Sequence, residues 1–201
     1  MERGRTEGGP ASAVPVVSIV GKGDSGKTTF LEKLIRELSG RGWRVGTVKH
    51  HVHDFDIDVP GKDSWRHARA GADVTMISAP DKFGLVRRVD RERTLDELLE
   101  AAGDIDILLT EGYKRAGSTR IEVSRAARSD ELICSAEELW AVATDNPGVV
   151  PAGVPTFGLD DAPAVADAIE REFLGRSRET GAGERPGANA RTRAGGAADG
   201  D

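Results

Sequence analysis

The stretch Val14-Pro15-Val16-Val17-Ser18-Ile19-Val20-Gly21-Lys22-Gly23-Asp24-Ser25-Gly26-Lys27-Thr28-Thr29-Phe30-Leu31 decides how this chain folds. A short apolar run with β-branched residues reads as a buried strand, and it stops where a glycine-rich loop begins. Residues 21–28 match G-x-x-x-x-G-K-[ST] in full, and helical periodicity starts directly after them. Gly21, Gly23 and Gly26 let successive backbone N–H groups turn inward as an anion-binding nest. The following helix points its positive end at the same anion. In this pattern Lys27 reaches the β- and γ-phosphates of a nucleotide, and Thr28 offers its hydroxyl to an accompanying magnesium ion, a hard cation that takes oxygen ligands. Lys22, Asp24, Ser25 and Thr29 complete the candidate nucleotide-binding segment. The strand before and the helix after separate this reading from an ordinary glycine-rich turn.

Outward from the loop, strand and helix patterns alternate, as they do in a largely parallel sheet covered by helices. Phe30, Leu31, Leu34, Ile35 and Leu38 recur at three and four, which predicts a helix over 27–39 stopped by Gly40 and Gly42. Residues 43–48 read as a strand, 50–63 as a polar stretch and 64–70 as a short helix ending at Gly71. Strands are expected at 74–78 and 83–89, with a turn at 79–82 between them. Thr94 caps a helix over Leu95, Leu98 and Leu99 that ends at Gly103. Further strands are expected at 105–110, 121–123, 139–144 and 156–159. The Asp160-Asp161 pair then opens a last helix through Val165, Ile169 and Phe173. The fold class is α/β: a three-layer, P-loop NTPase-like domain over residues 14–175, with a mostly parallel sheet and helices on both faces.

The ends read differently. Residues 1–13 hold no Val, Ile, Leu or aromatic residue, and neither do residues 176–201. Such segments bury too little apolar surface to offset their ordering entropy, so both are expected to be disordered tails. With 28 basic and 34 acidic residues the net charge is −6, which argues against a nucleic-acid partner. A single cysteine, Cys134, excludes an intrachain disulfide and a cysteine-rich zinc site. No apolar run reaches the roughly 18 residues of a membrane span. The expectation is a cytoplasmic protein with no membrane partner.

In open α/β sheets the ligand sits beyond the carboxyl ends of the strands, so the residues just after each strand carry the chemistry. Glu111, after the apolar run 105–110, is positioned to assist the metal or orient an attacking water, and Gly112 lets the backbone turn beside it. A plain exposed loop acid is the alternative. The segment 49–58 collects Lys49, His50, His51, His53, Asp54, Asp56 and Asp58. It reads as a transition-metal site, as a nucleotide-sensing loop in which Asp56 or Asp58 meets magnesium, or as a hydrophilic loop without a ligand. Asp145, after 139–144, either accepts hydrogen bonds from the guanine N1–H and 2-amino donors or caps the turn at Asn146-Pro147-Gly148. Lys22 stands at the offset where ParA/MinD-like proteins carry a lysine that crosses a dimer; Asp24 departs from that signature. No arginine-rich lid is apparent.

Four blocks together resemble a known family: G-K-G-D-S-G-K-T-T-F-L from Gly21, the long block V-K-H-H-V-H-D-F-D-I-D-V-P-G-K-D-S-W-R-H-A-R-A-G-A over 48–72, L-L-T-E-G-Y-K-R over 108–115, and A-T-D over 143–145. They resemble the molybdopterin-guanine dinucleotide biosynthesis adapter family, MobB, over roughly 15–175. The resemblance implies a GTP-binding, magnesium-dependent, slowly hydrolysing homodimer. Its partner would be the MobA-like guanylyltransferase that joins GMP to molybdopterin; molybdopterin itself and molybdoenzymes are further candidates. It implies that residues 21–28 hold the phosphates, with Lys27 and Glu111 serving hydrolysis, that Thr28 with Asp58 or Glu111 assists the metal, and that Asp145 faces the base. The loop with Asp56, Gly61, Lys62 and Asp63 would be the family's characteristic loop. Rival readings are a nickel-insertion type metal-delivery GTPase, a ParA/MinD-like ATPase, a small-molecule kinase, and a scaffold that never hydrolyses nucleotide.

Overall fold

Six of the apolar runs become strands of one parallel sheet, and the helix after the first of them returns the chain to the strand at its edge. The computed structural model describes residues 14–50, 57–113 and 119–175. Both terminal segments read as tails lie outside these residues. In chain order the elements are β1 (Val16–Val20), α1 (Lys27–Gly40), β2 (Val45–Lys49), α2 (Asp63–Arg69), β3 (Val74–Ala79), β4 (Lys82–Arg87), α3 (Leu95–Ala102), β5 (Ile107–Glu111), β6 (Thr119–Ser124), β7 (Ala141–Thr144), β8 (Thr156–Phe157) and α4 (Ala162–Ile169). The main sheet runs in the order β2-β5-β1-β6-β7-β8, and every neighbouring pair is parallel. β1 thus lies between β5 and β6, so the loop that leaves β1 opens between two other strand ends.

The two faces of the sheet differ in chemistry. Val17, Ile19, Ile107, Leu109, Ile121, Val123, Ala141 and Ala143 join Phe30, Leu34 and Leu38 of α1 and Val165, Ala166 and Ile169 of α4 in one buried cluster. Because side chains alternate along a strand, the opposite face carries buried Ser18, Thr110, Glu122, Ser124 and Thr144, interspersed with Val20, Leu108 and Val142. Over β6 that polar face is covered by irregular chain rather than by a helix: the Glu122 carboxylate, 1% exposed, accepts from the backbone N–H of Ile133 at 2.8 Å and of Cys134 at 3.0 Å. Thr110 Oγ1 donates to Ser18 Oγ at 3.0 Å, which satisfies a polar pair between β5 and β1.

β3 and β4 do not join the main sheet. They form a separate antiparallel hairpin with Ala79 paired to Lys82, so the expected four-residue turn narrows to Pro80-Asp81. Thr94 caps α3 as anticipated, in a capping box with Glu97, and Leu95, Leu98 and Leu99 of that helix are half-buried. The chain after α4 continues through Glu170–Leu174 as a wider-turned segment that the sequence reading did not foresee.

Arg41, just past the end of α1, ties that helix to α4. Its guanidinium donates to Asp167 Oδ1 at 2.6 Å, to Glu170 Oε2 at 2.7 Å and to the Pro163 carbonyl at 3.1 Å. Trp43 Nε1–H donates to Glu170 Oε1 and, with Arg41, holds the Glu170 carboxyl below its ordinary value near 4.5. A carboxylate with a lowered folded pKa contributes stability that is complete above its unfolded pKa and lost as pH falls through the folded one. Glu170→Gln is therefore expected to cost about 1 kcal/mol at pH 7 by urea unfolding, with the gap to the parent narrowing below about pH 4.

Candidate functional site

The phosphate loop owes its shape to three left-handed residues. Gly21 (φ +146°), Asp24 (φ +56°) and Gly26 (φ +93°) turn the chain back before α1, and Gly26 opens that helix with its carbonyl accepting from Phe30 N–H at 2.9 Å. At Gly21 a Cβ would collide with the Val123 carbonyl of β6, so only glycine lets the loop lie against the neighbouring strand. Ser25 Oγ is buried and has no hydrogen-bond partner among the described residues. An orphaned hydroxyl inside a nest of amides at the start of a 14-residue helix fits an anion. Lys27 Nζ donates to the Lys22 carbonyl at 2.6 Å, which folds the ammonium back over the loop.

On the β5 side the loop meets its acid. Thr28 Oγ1 donates to Glu111 Oε1 at 2.9 Å, and Lys49 Nζ at the end of β2 lies 3.7 Å from the same oxygen. The parallel register that pairs Lys49 with Glu111 and Ile19 with Glu111 brings these side chains to one edge of the crevice. Gly112, with φ +77°, donates its N–H to the Ile19 carbonyl at 3.1 Å and turns the chain away from the sheet. A hydroxyl and a carboxylate within hydrogen-bonding distance form a donor set that suits a hard divalent cation such as magnesium. Asp104 and Asp106 lie at the opposite end of β5, where both interact with Arg44.

Other expected residues lie elsewhere. Asp58 accepts from the adjacent Val59 N–H at 3.0 Å and makes no hydrogen bond or ion pair with Thr28 or Glu111. Gly61, with φ +89°, Lys62 and Asp63 form the turn that starts α2. His50 Nε2 contacts Glu92 Oε1 at 2.8 Å, and its ring meets Tyr113 edge-on at 4.8 Å. Burial and the nearby Glu92 charge raise the Tyr113 pKa. His51, His53 and Asp56 lie outside the described residues, and among those described no three His, Cys, Asp or Glu side chains gather as a metal cluster.

On the β6 side the structure adds residues that the sequence reading missed. Arg125 is the first residue after β6, and its Nη2 lies 3.2 Å from the position a Cβ on Gly26 would take. Arg128 Nη2 donates to Asp24 Oδ2 at 3.1 Å, and Lys22 Nζ donates to Ser129 Oγ. Lys22 is thus engaged within its own chain. Asp145 Oδ1 accepts from Ala126 N–H at 2.6 Å, while Thr144 Oγ1 takes the Asn146 N–H at 2.9 Å and closes the following turn. Asp145 therefore secures the loop after β6 and does not cap its own turn. The signal lies in the strand end: β6 runs through Ser124, so Arg125 follows it directly, whereas the expected strand 121–123 stops a residue earlier.

Comparisons with known proteins identify the family to which this fold belongs. The family model described as molybdopterin guanine dinucleotide synthesis protein B matches residues 16–145. The molybdopterin-guanine dinucleotide biosynthesis adapter proteins of Escherichia coli K12 and Haemophilus influenzae Rd are each 33% identical to the chain; the alignments span 78% of it and 91% and 88% of those proteins. Among solved structures, Bacillus subtilis MobB superposes with a TM-score of 0.64 at 31% identity, covering 80% of this chain and 99% of that one. Sequence model, relatives and fold converge, and the chain belongs to the molybdopterin guanine dinucleotide synthesis protein B (MobB) family.

Proposed function

We propose that this protein is a GTP-binding adapter in molybdenum cofactor biosynthesis that assists a guanylyltransferase in converting molybdopterin to molybdopterin-guanine dinucleotide, and that it hydrolyses GTP slowly. The observation that carries the nucleotide part is the Thr28–Glu111 contact at 2.9 Å, made across the first turn of the helix that the phosphate loop opens. Amides of residues 21–28 bind the phosphates, and the Lys27 ammonium, which donates to the Lys22 carbonyl at 2.6 Å, lies over the same loop. Glu111, 12% exposed and beside Lys49, is suited to orient a water at the terminal phosphate. Thr28 and Glu111 would hold a magnesium ion, which would supply charge neutralisation for the phosphates. Asp145 keeps its second oxygen for a guanine edge while its first holds the Ala126 amide. The single cysteine fits a cytoplasmic setting.

Lys27→Ala is expected to weaken GTP binding at least tenfold by isothermal titration, as loss of a charge-assisted phosphate contact implies. An unchanged affinity would remove the site assignment. GTP outcompeting ATP in the presence of magnesium separates the adapter reading from a ParA/MinD-like ATPase.

The hairpin supports a homodimer. Met76, Ile77, Phe83, Leu85 and Val86 of β3 and β4 are all exposed, Phe83 by 74%. An isolated two-stranded sheet is marginal in water, and an exposed apolar one invites a covering partner. Phe83→Asp is expected to shift the protein from dimer to monomer in light scattering at micromolar concentration, with the far-ultraviolet circular dichroism of the main sheet retained.

A further inference from the structure

We propose that Arg125 is a nucleotide ligand: its guanidinium binds the α- and β-phosphates from the β6 side of the crevice, opposite the Thr28–Glu111 pair. The inference rests on the nucleotide reading above and deepens it. Its first support is place. The sheet order sets the ends of β5, β1, β6 and β7 side by side, so Glu111, the phosphate loop, Arg125 and Asp145 follow one another along a single crevice. The metal pair occupies one flank of the loop and the candidate base acid the far end. Arg125 stands between loop and base acid, where the inner phosphates of a nucleotide lie.

The second support is charge. Arg125 Nη2, Nε and Cζ lie 3.2, 3.8 and 3.9 Å from the Cβ position of Gly26, so the guanidinium covers the last glycine before α1. That is the positive end of the helix, already rich in inward N–H groups and flanked by Lys27. A cation set against such a surface is unfavourable unless an anion joins them. The Asp160 carboxyl is held below its ordinary range by Lys33, with which it is paired, and only in smaller part by Arg125. Arg125 makes no side-chain hydrogen bond among the described residues and is exposed, so the donors of its fork are available.

The third support is preorganisation. Three contacts hold the segment: Arg128 to Asp24 and Lys22 to Ser129 clip it to the phosphate loop, and Asp145 anchors the Ala126 amide to the end of β7. The Arg125 carbonyl also accepts from Arg128 N–H at 2.8 Å and Ser129 N–H at 3.2 Å, closing the turn tightly. Ordering the backbone in advance lowers the entropy a ligand must offset.

The test measures GDP and GTP affinity with a fluorescent nucleotide, together with steady-state GTP hydrolysis, for the parent, Arg125→Ala, Arg125→Lys and Lys27→Ala. Arg125→Ala is expected to weaken GDP and GTP equally, by about tenfold, and to raise KM by the same factor with kcat within twofold. Arg125→Lys should recover part of the loss, because it keeps the charge without the fork. An unchanged thermal midpoint for Arg125→Ala shows that the fold is intact. Equal affinities in Arg125→Ala and the parent would overturn the assignment. So would a loss confined to GTP or to kcat, which would put the guanidinium at the terminal phosphate. If Lys27→Ala loses binding while Arg125→Ala does not, the nucleotide reading stands and this inference alone falls. A parent that binds neither nucleotide overturns both.

Discussion

The crevice depends on how closely the backbone of β6 approaches Gly21. A Cβ at that position would strike the Val123 carbonyl, so the loop can lie against β6 only while position 21 is glycine with φ +146°. That approach fixes the height of the loop against the sheet. It also fixes where the residues immediately after β6 fall, since Arg125 follows Ser124 directly. The same glycine that shapes an anion nest thereby brings a second cationic segment to its rim. Acidic partners from three elements hold the arrangement: Glu111 from β5, Asp24 from the loop and Asp145 beyond β7.

Much of this was legible in the sequence, for reasons that differ element by element. The strand, loop and helix around residues 16–40 follow from an apolar run, obligate glycines and a period of three and four, all local signals that burial of Phe30, Leu31, Leu34 and Leu38 reinforces. Glu111 was readable because an acid after an apolar strand has few structural uses. The two strands of the hairpin and the turn between them were readable, but their separation from the main sheet was not, because Met76, Ile77 and Phe83 look like core residues in one dimension and become exposed only once the sheet order is known. Asp58 sits in a run of acids and histidines that suggests a ligand set, yet proximity in sequence did not carry it to Thr28. Arg125 was missed for the opposite reason: its place after a strand is a local signal, but its approach to the loop follows from the pairing of β6 with β1, about one hundred residues apart.

The two faces of the sheet divide the work between stability and function. Helices α1 and α4 bury the apolar face, and the Arg41–Glu170 contacts lock them together at the end of the helix pair remote from the phosphate loop. The polar face cannot be covered in that way, because Ser18, Thr110, Glu122, Ser124 and Thr144 each demand a partner when buried. Glu122 meets the demand by accepting two backbone N–H groups from the chain that crosses it, which anchors residues 133 and 134.

That anchoring bears on the crevice. The segment that begins at Arg125 is held near its start by Asp145 and at its far end by Glu122, so residues 125–134 form a strap fixed at both ends rather than a free loop. Burial, with the Glu122 charge added, pushes the Cys134 thiol up to about 11, so at neutral pH the one cysteine stays protonated and acts as a packing residue. A buried carboxylate on the polar face thus serves the phosphate end of the sheet at a distance. It spends its two oxygens on main-chain amides, and in doing so it stiffens the strap that presents Arg125 and Arg128 to the loop.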